Sequence, residues 1–204
     1  MSMILALAAL GDANIARLVA DPPLVWRVIR ADDPERYDEA RADSARPFFL
    51  KRLFSRSKPS EPAPPVPPLV LGDGEGETTE LDKAWHGIHY LFTRTAWEGD
   101  PPLNFLVAGG REVGDIDVGY GPARVLSSAE IRAAADALAR LGDDELRARF
   151  DPADMMSKKI YPEIWDRDPE DDDTLSYLLE FVGTLREFLS QAVERGQGAV
   201  VYVT

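Results

Sequence analysis

Two short apolar runs bracket the pattern of hydrophobic and polar positions in this chain. Residues 3–9 (MILALAA) are unbroken apolar sequence ahead of Gly11, and residues 199–203 (AVVYV) are rich in β-branched side chains. Runs of this length bounded by turn residues predict buried strands. The two strands are expected to pair in one small sheet. Between them the periodicity is helical. Asp12 caps a helix over 12–19 whose Ile15, Leu18 and Val19 share a face, Pro22-Pro23 closes it, and a second short helix follows over 24–29. Thr79, with Asp82 three residues on, starts a helix to about 93. Ser127-Ser128 with Glu130 is the clearest capping box in the chain and opens a helix to 141. Shorter helices are expected over 143–150 and 152–158. The longest spans 174–195, where Leu175, Leu178, Leu179, Val182, Leu185, Phe188, Leu189 and Ala192 make a 3.6-residue stripe ending at Gly196. Residues 103–108 read as a strand or a buried helical turn, and 114–121 (GDIDVGYG) as loop with at most a short strand. The predicted fold class is α+β, a helix-dominated single domain with a small sheet that includes the N- and C-terminal strands.

Residues 31–78 break this pattern. A charge-dense stretch leads into FFLKRLFSRSK at 48–58, and residues 59–68 then hold six of the 16 prolines. Such a tract forms neither helix nor central strand and favours polyproline II. An insertion or long loop is expected at about 44–77 of a domain spanning 1–204. Lys51, Arg52, Arg56 and Lys58, interleaved with Phe48, Phe49, Leu53 and Phe54, form a short amphipathic element that suits a membrane surface, a partner's acidic groove or the parent domain.

Composition narrows the function classes. With 204 residues and 45% hydrophobic content there is enough apolar material for a core. The net charge of −13 opposes nucleic-acid binding, which needs Lys and Arg on phosphates. The absence of cysteine excludes disulfides, thiolate nucleophiles and Cys-based metal sites. No apolar run approaches the ~18 residues of a membrane span. The run at 3–9 lacks the basic flank of a signal peptide, so a cytoplasmic location is expected.

Residues 80–98 (ELDKAWHGIHYLFTRTAWE) hold both histidines and two of the four tryptophans. At 100° per residue, Leu81, Trp85, Ile88 and Phe92 form a core stripe, and Asp82, His86, His89 and Thr93 the flank beside it. The D-x3-H-x2-H spacing could support an acid–base pair oriented by Asp82. No third histidine exists to complete a metal site, so no metal and no cofactor are expected. The simpler reading is a pair of packed, hydrogen-bonded histidines. A second string, GYGPAR at 119–124, places Tyr120 on a turn and offers the Arg124 fork to a carboxylate or phosphate. Read structurally, it is a tight turn whose Tyr plugs the core. GDGEGE and AGGREVG lack the strand–loop–helix setting of phosphate loops, and the acidic run 166–173 lacks EF-hand spacing.

The order of these strings resembles a known family. ELDKAWHGIHYLFT, AWEGDPPLNFLVAGG, EVGDIDVGYGPARVL, ELRARFDPADMM and IYPEIWDRD are similar to the bacterial YfbM-like family, a domain of unknown function. The resemblance covers residues 1–29 and 80–204 and implies a compact α+β domain. It carries over no activity, cofactor or catalytic residue. Arg94 stands where the family commonly has Gly, which implies a helix end that frays or runs on. Two function classes follow. The leading one is a non-enzymatic binding module, immunity- or antitoxin-like, whose acidic surface meets a basic protein partner. The alternative is an enzyme or small-ligand protein with a pocket of Trp85, His89, Tyr120, Arg124, Tyr161 and Trp165, with His89 as general acid/base.

Overall fold

A computed structural model describes residues 2–30, 33–44 and 69–204. The amphipathic element at 48–58 and most of the expected insertion lie outside the described residues. In chain order the elements are β1 (Leu5–Leu10), α1 (Asp12–Ala20), a 3-10 turn (Pro22–Val25), α2 (Trp26–Ile29), α3 (Pro34–Ser44), β2 (Thr78–Glu80) and α4 (Trp85–Thr93). There follow β3 (Arg111–Asp117), β4 (Pro122–Leu126), α5 (Ser128–Arg140), α6 (Asp143–Arg149), α7 (Pro152–Ser157), α8 (Thr174–Glu194) and β5 (Gly198–Val203). The fold is α+β.

One antiparallel sheet of five strands organises the chain, in the order β2-β1-β5-β4-β3. The terminal strands pair along their whole length, from Leu5↔Val203 to Leu10↔Gly198. They sit inside the sheet, and both of their faces are covered. Leu5, Leu7, Ala9, Ala199 and Val201 join α4, α5 and α8 in one core, and Ala8, Leu10 and Val200 join α1, α2 and Tyr37 of α3 in another. Burial on both faces explains why β1 reads as continuous apolar sequence without alternation.

Several local expectations are corrected. The helix expected from Thr79 begins six residues later: Thr78–Glu80 is β2, with Thr79 opposite Leu7. Ladder bonds to β1 satisfy that backbone, so Asp82 lies in the turn before α4 at φ 42°, off the helix. Residues 111–126 form a hairpin in place of the expected loop, and its register shifts between Glu112 and Asp117. The shift, with Gly114 at φ 60°, interrupts the period-two pattern that would have announced a strand. The charge-dense segment at 34–44 is helical. The end of α4 neither frays nor runs on: Arg94 itself takes the left-handed conformation at φ 61°, and its N–H donates to the Tyr90 carbonyl. The capping box forms as expected, with Ser127 Oγ accepting from the Glu130 N–H and Glu130 accepting from the Ser127 N–H.

Helix α4 is enclosed on every side. All residues from Trp85 to Phe92 are buried, as expected of a core helix that is not amphipathic. Gly87 makes this possible. A Cβ there would lie 2.7 Å from both the Trp165 ring and Leu178, so only glycine lets those side chains meet the helix backbone.

Candidate functional site

The two histidines of α4 are built into the core. His86 is fully buried, and its ring uses both nitrogens on main chain. Nδ1 accepts the Tyr161 N–H at 3.0 Å, so Nε2 carries the proton and donates to the Ala96 carbonyl at 2.6 Å. The ring is thereby held as one neutral tautomer. Burial, the dominant cause, pushes its pKa below 6.5 against the opposing Ala96 bond. Functionally, His86 clamps the chain after α4 and the 161 segment onto the helix.

His89 is also fully buried. The Thr93 hydroxyl donates to the His89 carbonyl and lies 3.3 Å from ring Nε2, and Nδ1 has no hydrogen-bond partner among the described residues. Desolvation first, then the nearby His86 and Arg124, lower its pKa to about 4. Asp82 lies apart from both rings and accepts from the Tyr177 hydroxyl of α8 at 3.0 Å.

The His86 clamp presents Trp97. The Trp97 ring lies 4.3 Å from His86 and 6.1 Å from Trp85 between centroids, and Trp85 stacks on His86 at 4.8 Å. Tyr161 stacks behind Trp85 at 6.1 Å, and its hydroxyl accepts the Met3 N–H. Opposite Trp97 stands Tyr120, at the tip of the β3–β4 hairpin. Asp117 accepts from the N–H groups of Gly119 and Gly121, and the Tyr120 N–H donates to the Val203 carbonyl. Gly119 takes φ 154°, and a Cβ on it would be 2.7 Å from that same carbonyl. The turn is thus pinned against the end of β5. Tyr120 is 46% exposed and so does not plug the core.

Between these rings is a cavity of about 240 Å³, lined among others by Trp85, Trp97, Leu106, Tyr120, Arg124 and Val203. Arg124 projects from β4 on the α4 side of the sheet. Its guanidinium donates to the carbonyls of Phe105, Leu106 and Gly109 and so closes the 103–109 turn. Among the described residues it has no carboxylate at ion-pair distance. Desolvation lowers its pKa to about 10, with Glu112 opposing, so it remains a cation at neutral pH.

Three of the six residues predicted to share a pocket, Trp85, Tyr120 and Arg124, therefore line one cavity. Tyr161 backs it through Trp85. His89 is sealed in the core. Trp165 packs on the Gly87 side of α4, where its Nε1–H donates to the Ile160 carbonyl. The residue missing from the predicted set is Trp97. It lies beyond the helical period, and its 57% exposure beside a fully buried helix is a tertiary property. A larger cleft of about 640 Å³ lies between α3 and the β3 edge, but Asp21, Glu39 and Asp115 line much of it and it lacks converging rings.

Fold and pocket together define an α+β protein whose terminal strands pair at the centre of the sheet and whose rim aromatics enclose a small cavity beside a half-buried arginine. The chain belongs to the family described as "Domain of unknown function (DUF1877)", whose profile matches residues 1–202. Among solved structures it is similar to "a Protein of Unknown Function YfbM from Escherichia coli", with a TM-score of 0.62 at 16% identity, covering 98% of this chain and 99% of that one. At that identity the likeness speaks for the fold. Comparison with the curated proteins found no match. Among the described residues, no helix is long and apolar enough to cross a membrane.

Proposed function

We propose that this chain is a non-enzymatic binding module, immunity-like in character, that holds a basic protein partner and uses the Trp97–Tyr120 pocket as its anchor point. One observation carries the reading. The large hydrophobic side chains that stand exposed among the described residues are Val70, Trp97 and Tyr120, and the two aromatics rim the same cavity above Trp85. Single exposed apolar residues are ordinary. Convergent Trp and Tyr around a pocket are the composition of an interface hot spot. The net charge of −13 favours fast encounter with a basic surface. An acid–base role for His89 has less support, because a general base must reach the proton it takes, and this ring is fully buried and absent from the cavity lining.

The test is affinity capture from the native host across a salt series, with the wild-type chain and Trp97→Ala side by side. A basic protein that is recovered at low salt by the wild type and lost with Trp97→Ala supports the reading. Recovery of no protein at any salt, or equal recovery by both chains, refutes it.

A further inference from the structure

The pocket chemistry goes further than the presence of aromatic rings. We infer that its occupant is a planar ring bearing a carboxylate, with the ring held between Trp97 and Tyr120 over Trp85 and the carboxylate on Arg124. This rests on the pocket being the binding site, as proposed above. Three independent features point to it.

The first is the unbalanced charge of Arg124. A guanidinium has five N–H donors, and three of its bonds go to main-chain carbonyls. The remaining donors have no carboxylate among the described residues, and the side chain faces the cavity. Glu112, its cross-strand neighbour, compensates only in part. A desolvated cation without a counter-ion is costly, and an incoming carboxylate would supply one through a charge-assisted bond. The same cation argues against a basic side chain entering here, although the surface as a whole is acidic.

The second feature is shape. At about 240 Å³, the cavity is smaller than the roughly 300–1,000 Å³ of drug-sized sites, which suits one ring and its acidic arm. The third is preorganisation. The main chain at Trp97 is held by the His86–Ala96 clamp, and that at Tyr120 by the Asp117 turn and the Val203 carbonyl, so the backbone that carries the two rings is fixed before binding and little loop ordering is left to pay for.

A free aromatic acid and the C-terminal aromatic residue of a protein chain share this chemistry. The test is an NMR titration of the full chain, reading the indole N–H resonances of Trp85 and Trp97. The probes are N-acetyltryptophan, N-acetyltryptophanamide, indole-3-acetate and the peptide Gly-Gly-Trp with a free terminus. The carboxylates are expected to shift both resonances saturably, with the amide about tenfold or more weaker. Trp97→Ala should abolish the effect. Arg124→Lys, which keeps the charge without the fork, should narrow the gap between acid and amide. Peptide tighter than indole-3-acetate assigns the site to a chain terminus, and the reverse assigns it to a free acid; either supports the inference.

Equal binding of acid and amide overturns the carboxylate assignment. So does the absence of any shift at concentrations up to ~10 mM. In both cases the partner-capture result with Trp97→Ala separately decides whether the pocket is a binding site at all.

Discussion

The buried histidines make stability depend on pH in a window where little else titrates. In the unfolded chain a histidine takes up a proton as pH falls through 6.5, whereas His89 in the fold resists it until about 4. Between those values the unfolded state binds more protons, so stability rises with pH and is lost on acidification. Applied to pH 7 and pH 5, the linkage relation gives a loss of about 2 kcal/mol from His89 alone. His86, whose pKa is lowered in the same direction, adds to the slope. The carboxylates held below their usual range, Asp154, Asp117 and Asp173, have a reference value of 3.8 and are almost fully ionised in both states between pH 7 and pH 5. Their contributions disappear only at lower pH. The assay is urea unfolding at closely spaced pH values for the wild type and His89→Gln. The variant is expected to start less stable and to lose about 2 kcal/mol less than the wild type over the window. Because the chain has only two histidines, equal losses in both proteins would refute the assignment of the slope to His89.

Three further outcomes are expected. Gly87→Ala drives a methyl into Trp165 and Leu178 and should cost about 1–3 kcal/mol by denaturant titration, with a change in near-UV circular dichroism from the displaced indole. Ser127→Ala removes one half of the α5 capping box and should cost about 1 kcal/mol, read as a lower urea midpoint at unchanged slope. His86→Ala leaves the Ala96 carbonyl and the Tyr161 N–H without their partner. It should cost about 2 kcal/mol or more by the same titration and red-shift tryptophan emission as Trp97 loosens.

Elements whose signal is local were legible in the residues. The capping box at Ser127 and Glu130 needs only its own four residues, and the stripe of α8 repeats often enough to identify its buried face. The α+β class and the pairing of the terminal strands followed from two apolar runs and the helices between them. Legibility failed where a distant partner supplied the decisive bonds. Thr79 carries a helix-capping side chain, yet β1 offers its backbone a ladder, and the ladder wins. The β3–β4 hairpin hides behind a register shift and is defined by β5 on its far side.

The stretch holding both histidines shows the same division. Composition and helical spacing were enough to mark Trp85, His86 and His89 as unusual neighbours and to favour packing for the histidines. Which residues share a cavity was decided by contacts spanning the chain. Ala96 is bound by a ring ten positions earlier, Tyr161 is held by His86 seventy-five positions away, and Tyr120 is held by Val203. Periodicity reports which face of an element is apolar. It does not report which elements meet, because that depends on burial and hydrogen bonding summed over the whole fold. His89 and Trp97, nearly equal in sequence interest, are for that reason assigned opposite places: one sealed in the core, the other open at the rim of the pocket.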